Sequence, residues 1–85
     1  MRLELRFFAT LREMLACERE QVEVPASVQT VGELRAWLRE RGGVWAEALA
    51  EGRPVRAALD QAMVGSQAML HENAEVAFFP PVTGG

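Results

Sequence analysis

The chain has 85 residues, 49% of them hydrophobic and 25% charged, and this composition predicts one small folded domain rather than a disordered segment. Its net charge of −3 argues against a nucleic-acid partner. The single cysteine, Cys17, excludes an intramolecular disulfide and a cysteine metal cluster. Neither a signal peptide nor an apolar run long enough to cross a membrane is recognisable, so we expect a cytoplasmic protein with no membrane partner.

Two alternating segments near the start of the chain predict two strands. Residues 2–8 alternate between apolar and charged side chains, which indicates a half-buried strand. Phe8 is the exception, because it is a large aromatic on the face that otherwise carries charges. Residues 20–24 alternate again and stop at Pro25, which cannot extend a sheet ladder. We expect the two strands to form an antiparallel, hairpin-like pair.

Capping patterns predict the helices. Residues 10–13, Thr-Leu-Arg-Glu, fit a capping box and predict a short helix that ends near Ala16. Residues 30–33, Thr-Val-Gly-Glu, fit a second one and open the main helix, which we expect to end at Gly42–Gly43. Apolar residues recur along it at helical spacing, with Arg35 on the outer side. A further short helix is expected directly after it.

The second half of the chain predicts three more strands. Pro54 begins an extended run that leads to a turn at Asp60-Gln61, and a short strand follows. Residues 71–74 are expected to form an exposed turn with a solvated His71. Residues 75–79 alternate and form the last strand. Together these elements predict an α+β fold, a mixed sheet with one main helix packed on one face.

We expect the last strand to lie beside the first, in parallel, at the centre of the sheet. This arrangement would bring Phe8 and Phe79 together on the face opposite the main helix. Exposed aromatic side chains in one patch often mark a protein–protein interface. The alternative is that each is a scattered surface residue, which is common.

Residues 80–85 predict an extended tail that follows a domain of residues 1–79. Pro80 and Pro81 fix φ and lack backbone N–H groups, while Gly84 and Gly85 leave room for a partner to close around the backbone. We interpret the C-terminal carboxylate as a group delivered into a partner's active site; a frayed terminus is the alternative. No familiar catalytic motif is present, so the carboxylate would need activation, most simply by adenylation.

The residues at both ends resemble a known family. The string Phe78-Phe79-Pro80-Pro81-Val82-Thr83-Gly84-Gly85, and Phe7-Phe8-Ala9 with Leu11-Arg12-Glu13, are similar to the small, sulfur-carrier subunit of molybdopterin synthase. That family has the ubiquitin-like β-grasp fold. The resemblance covers the whole chain and is weakest in residues 44–70. The uncapped Gly-Gly ending is expected to need no trimming.

The resemblance implies a mechanism in which Gly85 alone carries the chemistry. An ATP-using activating enzyme would adenylate its carboxylate, and a persulfide sulfur donor would convert it to a thiocarboxylate. Threaded into the large synthase subunit, the tail would pass this sulfur to cyclic pyranopterin monophosphate, with no metal and no cofactor bound by the chain itself. The implied assembly is a heterotetramer. The expected threading residues are Pro80, Pro81, Val82, Thr83 and Gly84, and the expected interface residues are Phe8, Phe79 and Arg12.

Three other functions remain open at this stage. A sulfur carrier for thiamine thiazole or another pathway would share the fold and the chemistry. A ubiquitin-like modifier would attach the same carboxylate to amines of other proteins. A plain binding module would have an inert tail and would keep its function without Gly85.

Overall fold

A computed structural model of the protein describes residues 1–81. Within that range the chain forms five strands and three helices, which confirms the predicted α+β class. In chain order they are β1 (Arg2–Phe7), α1 (Ala9–Leu15), β2 (Arg19–Glu23), α2 (Val31–Arg39), α3 (Gly43–Ala48), β3 (Arg56–Leu59), β4 (Ala62–Val64) and β5 (Ala74–Phe79). None of these helices has the length and apolar character that a membrane span requires.

The five strands form one mixed sheet in the order β2-β1-β5-β3-β4. β1 pairs antiparallel with β2 and parallel with β5, as predicted, so the first and last strands occupy the centre. The parallel register sets Leu5 opposite Val76 and Phe7 opposite Phe78. β3 and β4 then extend the sheet as an antiparallel hairpin on the far side of β5.

The core lies between this sheet and α2. Because side chains alternate along a strand, the inward residues of β1 and β5 form one apolar layer beneath the helix. Phe7 and Phe78 stack at a centroid distance of 6.0 Å, and Trp45 of α3 meets Phe7 edge-on at 5.4 Å. Seven of the fully covered side chains are Phe7, Phe78, Leu3, Leu5, Leu34, Leu38 and Val76.

The second predicted capping box is present at the start of α2. The Glu33 N–H donates to Thr30 Oγ1 at 3.1 Å, and the Thr30 N–H donates to Glu33 Oε1 at 3.0 Å. The Gln29 N–H donates to the same carboxylate oxygen at 2.9 Å. These backbone donors, Gln29 first, lower the pKa of Glu33. The local pattern therefore fixes where the main helix begins.

The first predicted capping box is wrong. α1 begins at Ala9, its N-cap is Phe8, and no side chain caps it. The Phe8 N–H is bonded to the Phe78 carbonyl at 3.2 Å, and the Phe8 carbonyl already accepts the Arg12 N–H at 3.3 Å. Thr10 therefore lies inside the helix, because the end of the β1–β5 ladder decides where the helix starts.

The glycine pair also differs from the prediction. α2 ends at Arg39 with Glu40 as its C-cap, three residues before the expected end. Gly42 (φ 76°) is instead the N-cap of α3, and Gly43 (φ 55°) is its first residue. Both lie in the left-handed region that glycine tolerates, so the pair makes the bend between the two helices.

The turns around β4 and β5 follow the sequence with one exception. Asp60 (φ 48°) and Gln61 (φ 71°) form the predicted two-residue turn. His71 is exposed, as predicted. Ala74 is not part of an exposed turn, because it is fully buried as the first residue of β5 and pairs with Leu3.

Candidate functional site

The tail leaves the sheet from its central strand. β5 ends at Phe79, and the half-buried Pro80 and Pro81 follow. The predicted threading residues Val82, Thr83 and Gly84, and the predicted reactive residue Gly85, lie outside the described residues. The structure therefore shows where the tail starts and how its first two residues pack.

The outer face, which we define as the sheet face turned away from α2, carries the predicted aromatics. Phe8 is the next residue after Phe7, which pairs with Phe78, and its side chain is 37% exposed. The Arg6 guanidinium lies 5.2 Å from the centroid of its ring, which places the ring on the charged side of β1. Phe79 is half-buried and pairs with Arg56 of β3.

A row of small side chains separates these aromatics from a methionine that the sequence analysis did not select. In register across the sheet, Arg6 lies opposite Ala77, Ala77 opposite Ala58, and Ala58 opposite Met63. Met63 is 61% exposed, whereas both alanines are nearly covered. The outer face thus presents a shallow apolar floor with larger side chains around it, and the parity of residues 57–64 could have indicated it.

Charged groups lie beside this apolar area on β1 and β5. Arg6 Nη1 lies 3.8 Å from a Glu75 carboxylate oxygen, and Gln21 donates to Glu4 at 3.0 Å. Arg6 Nε is buried without a hydrogen-bond partner among residues 1–81. An apolar patch next to a band of opposite charges is typical of a surface that docks one partner in one orientation.

Arg12, the third predicted interface residue, lies next to Phe8. It is exposed on α1, one helical turn after Phe8, to whose carbonyl its N–H donates. Parallel pairing brings Phe8 and Phe79 to the same end of the sheet, and the α1 turn adds Arg12. The structure thus gathers the three residues where the tail begins.

Cys17 has the environment of an inert thiol. It is half-buried, and its Sγ lies 3.6 Å from the Arg19 carbonyl and 3.9 Å from Glu20 Oε1. Burial, and then the charge of Glu20, raise the pKa of the Cys17 thiol. A raised pKa leaves little thiolate, which is the reactive form.

His71 is bonded to a carboxylate rather than poised for metal binding. Its Nε2 lies 2.5 Å from Asp60 Oδ2, and its Nδ1 lies 3.0 Å from the Glu72 carbonyl. Over residues 1–81 no three His, Cys, Asp or Glu side chains come close enough to hold a metal ion.

The ThiS family model matches residues 5–85. The chain belongs to the ThiS family. Two relatives support this assignment over nearly full length, and both are molybdopterin synthase sulfur carrier subunits. The Escherichia coli K12 protein is 40% identical over 83 residues, which is 98% of this chain and 99% of that protein. The Haemophilus influenzae protein is 35% identical over the same shares of both chains.

Solved structures agree with the fold of this ThiS-family chain. Subunit 1 in a complex of molybdopterin-converting factor subunits 1 and 2 from Helicobacter pylori matches all of both chains, with 28% identity and a TM-score of 0.65. The Haloferax volcanii protein HVO 2177 is 30% identical with a TM-score of 0.78, over 100% of this chain and 87% of that one. The small archaeal modifier SAMP1 from Haloferax volcanii, at 22% identity, shares the fold alone, with a TM-score of 0.76. The predicted ubiquitin-like β-grasp fold is thereby confirmed.

Proposed function

We propose that this protein is the sulfur carrier subunit of molybdopterin synthase. The observation that carries the proposal is a family match that runs to residue 85, together with sulfur carrier subunits that align with 98% of the chain. The match therefore includes the terminal Gly84-Gly85. The catalytic side chains of the synthase then belong to its large subunit, and this chain supplies the sulfur.

Chemically, the Gly85 carboxylate is the reacting group. A carboxylate is a poor acceptor for nucleophiles, so an activating enzyme first joins it to AMP from ATP. A persulfide donor then displaces AMP and forms an acyl disulfide. A thiol reductant cleaves its S–S bond, which releases the thiocarboxylate and leaves a disulfide between the donor and the reductant. In the large subunit this sulfur passes to cyclic pyranopterin monophosphate. Two features of the sequence suit this path, because Pro80-Pro81 stiffen the start of the tail and the glycines fit a narrow channel.

The outer face docks the large subunit in this proposal. Phe8, Phe79 and Met63 supply the apolar contact, and Arg12 supplies a charged group at its edge. This placement suits sulfur delivery, because the tail follows Phe79 directly and would extend toward a partner bound to this face. A complex of the two subunits is known for the Helicobacter pylori relative, which supports a large-subunit partner here. We propose a heterotetramer, located in the cytoplasm.

Intact-mass spectrometry tests the proposed chemistry. The purified chain is incubated with the activating enzyme, ATP, a persulfide donor and a thiol reductant. Replacing one oxygen of the Gly85 carboxylate by sulfur raises the mass by about 16 Da. The variant that lacks Gly85 is the matched control and should show no gain. The absence of a gain in the unmodified chain contradicts the sulfur-carrier proposal.

Two further readouts separate the alternatives. A modifier would appear as the chain joined to lysines of other proteins instead of as a thiocarboxylate. Since all nine basic residues are arginine, the chain offers no side-chain amine as an acceptor, and such conjugates would be unambiguous. A carrier for thiamine thiazole would gain the same mass but would not transfer sulfur to the pterin in the presence of the large subunit.

A further inference from the structure

Arg35 of α2 holds the connection between α3 and β3. Its Nε donates to the Leu49 carbonyl at 2.8 Å, and its Nη2 donates to the Arg53 carbonyl at 3.0 Å and also to the Ala50 carbonyl. The guanidinium is half-buried, although the helical spacing predicted an outward side chain. No carboxylate lies within ion-pair distance of Arg35 in residues 1–81, so its charge is directed at backbone carbonyls.

The core anchors both ends of the segment that Arg35 holds, at the buried Leu49 and at Val55, but few hydrogen bonds hold the backbone between them. Residues 49–55 contain no helix or strand. The Arg53 N–H donates to the Ala50 carbonyl at 2.9 Å, which closes one turn within the segment. Arg39 adds a longer bond from Nη1 to the Leu49 carbonyl at 3.3 Å, and its Nη2 lies 3.7 Å from the exposed Glu51 carboxylate. The planar guanidinium, with donors fixed in a fork, is therefore the main link between this segment and the helix.

The same segment forms one wall of a groove at the start of the tail. Arg53, Pro54 and Val55 line the groove together with Leu11 and Met14 of α1, and its volume is about 250 Å³. Arg53 Nη1 lies 3.8 Å from Met14 Sδ, so this wall meets α1 directly. Pro80 and Pro81 line the same groove.

Packing against the groove walls can orient Pro80 and Pro81. They have no N–H groups with which to continue the β5 ladder. We propose that Arg35 is a positioning residue that fixes the wall formed by residues 53–55 and thereby sets the direction in which Pro80-Pro81 leave the sheet. A correctly aimed tail enters the partner's active site more readily, because fewer orientations have to be sampled. This functional consequence rests on the proposed function.

Nuclear magnetic resonance of the full chain tests the positioning without any assay of activity. The variant is Arg35→Gln, and the control is Arg39→Gln, which removes an arginine from the same helix but leaves the three Arg35 bonds. In Arg35→Gln we expect the Pro80 and Pro81 ring signals and the Met14 methyl signal to shift together, while the Leu5 and Val76 methyl signals of the sheet stay in place. Unchanged proline signals in Arg35→Gln would overturn the proposal, and so would equal shifts in both variants.

A second variant keeps the test decisive if Arg35→Gln does not fold. Arg35→Lys retains the charge but lacks the fork of donors, so it should move the same proline and Met14 signals by a smaller amount. If it leaves them at their wild-type positions, charge alone holds the wall and the guanidinium geometry has no positioning role.

Kinetics of sulfur transfer from the thiocarboxylated chain to the pterin in the large subunit provide a readout that loss of folding would not mimic. We expect Arg35→Gln to lower kcat about 10-fold and to leave KM within about twofold, because docking is intact and only the tail is misdirected. Arg35→Lys should recover part of the loss. A rise in KM at constant kcat would assign Arg35 to docking instead. If even the wild-type chain gains no sulfur, the proposed function fails, while the proline signals still decide the positioning.

Discussion

Phe78 and Phe79 are neighbours in β5 with opposite tasks, and a matched pair of alanine variants should separate them. Phe78 is 1% exposed and stacks on Phe7 in the core, whereas Phe79 is half-buried on the outer face. Because successive residues of a strand point to opposite faces, one substitution opens a cavity and the other removes a surface anchor.

The expected magnitudes differ several-fold. Phe78→Ala should lower the free energy of unfolding by about 3–5 kcal/mol, the usual cost of truncating a fully buried phenylalanine. In a domain of this size each kcal/mol lowers Tm by about 4–8 °C, so the shift should be at least about 12 °C. Phe79→Ala should lower the free energy of unfolding by about 1 kcal/mol or less, since the Phe79 side chain is partly exposed and lies outside the core.

Binding to the large subunit should show the reverse order. Phe79→Ala removes one of the two aromatic side chains of the proposed interface and should weaken binding by about 2 kcal/mol, which raises Kd roughly 30-fold. Phe78→Ala, measured below its own Tm, should bind within a few-fold of wild type. Urea unfolding followed by tryptophan fluorescence, and titration calorimetry with the large subunit, measure the two quantities. The reasoning is refuted if Phe79→Ala unfolds as readily as Phe78→Ala or binds as tightly as wild type.

Four further variants test the local structure. Thr30→Ala should lower the free energy of unfolding by about 1 kcal/mol because it removes a working N-cap, whereas Thr10→Ala should change it by less than about 0.5 kcal/mol; equal effects would contradict the α1 boundary. Gln61→Gly should raise the free energy of unfolding by about 0.5–1 kcal/mol, because residue 61 has φ 71°, a conformation that glycine adopts without strain. A lower free energy of unfolding in chemical denaturation would contradict this. The bond to Asp60 raises the pKa of His71, and the Glu75 N–H, then His71, lower the pKa of Asp60. The stabilisation is therefore complete below the ordinary histidine pKa and is lost as pH rises through the raised one; on the acid side it is lost as pH falls through the lowered pKa of Asp60. The difference in Tm between wild type and His71→Gln should be largest at about pH 5–6 and should shrink toward alkaline pH. A difference that grows toward alkaline pH would contradict a stabilising bond between protonated His71 and Asp60.

The two capping patterns show how far local sequence can be trusted. Both read Thr-x-x-Glu, yet Thr30 caps α2 and Thr10 does not cap α1. Thr30 lies in an antiparallel bridge with Met69, but this pairing leaves the Glu33 N–H free, so the Thr30 side chain can still cap the helix. Before Thr10, the pairing of Phe8 with the Phe78 carbonyl fixes the backbone first. That pairing joins residues 70 apart, and no local window contains it.

The candidate site likewise contains residues that the sequence predicted and residues that only the fold brings together. The positions of Phe8 and Phe79 on the outer face follow from strand parity, and the sequence analysis predicted both. Met63 joins them because the β3–β4 hairpin lies beside β5, and this order of strands is not a local property. Arg35 was expected to face outward, and its contact with the segment after α3 depends on how two helices pack.

By itself, the sequence determined which residues of each strand and of the main helix turn inward, since periods of 2 and 3.6 residues are local and the apolar residues keep them. It also contains the Pro80-Pro81 pair and the terminal diglycine on which the family resemblance depends. Only the tertiary structure decided where the β3–β4 hairpin joins the sheet, where α1 begins and which side chains line the groove beside Pro80 and Pro81. Those outcomes depend on hydrogen bonds and packing between residues far apart in the chain, and such contacts exist only once the sheet has closed around its central pair.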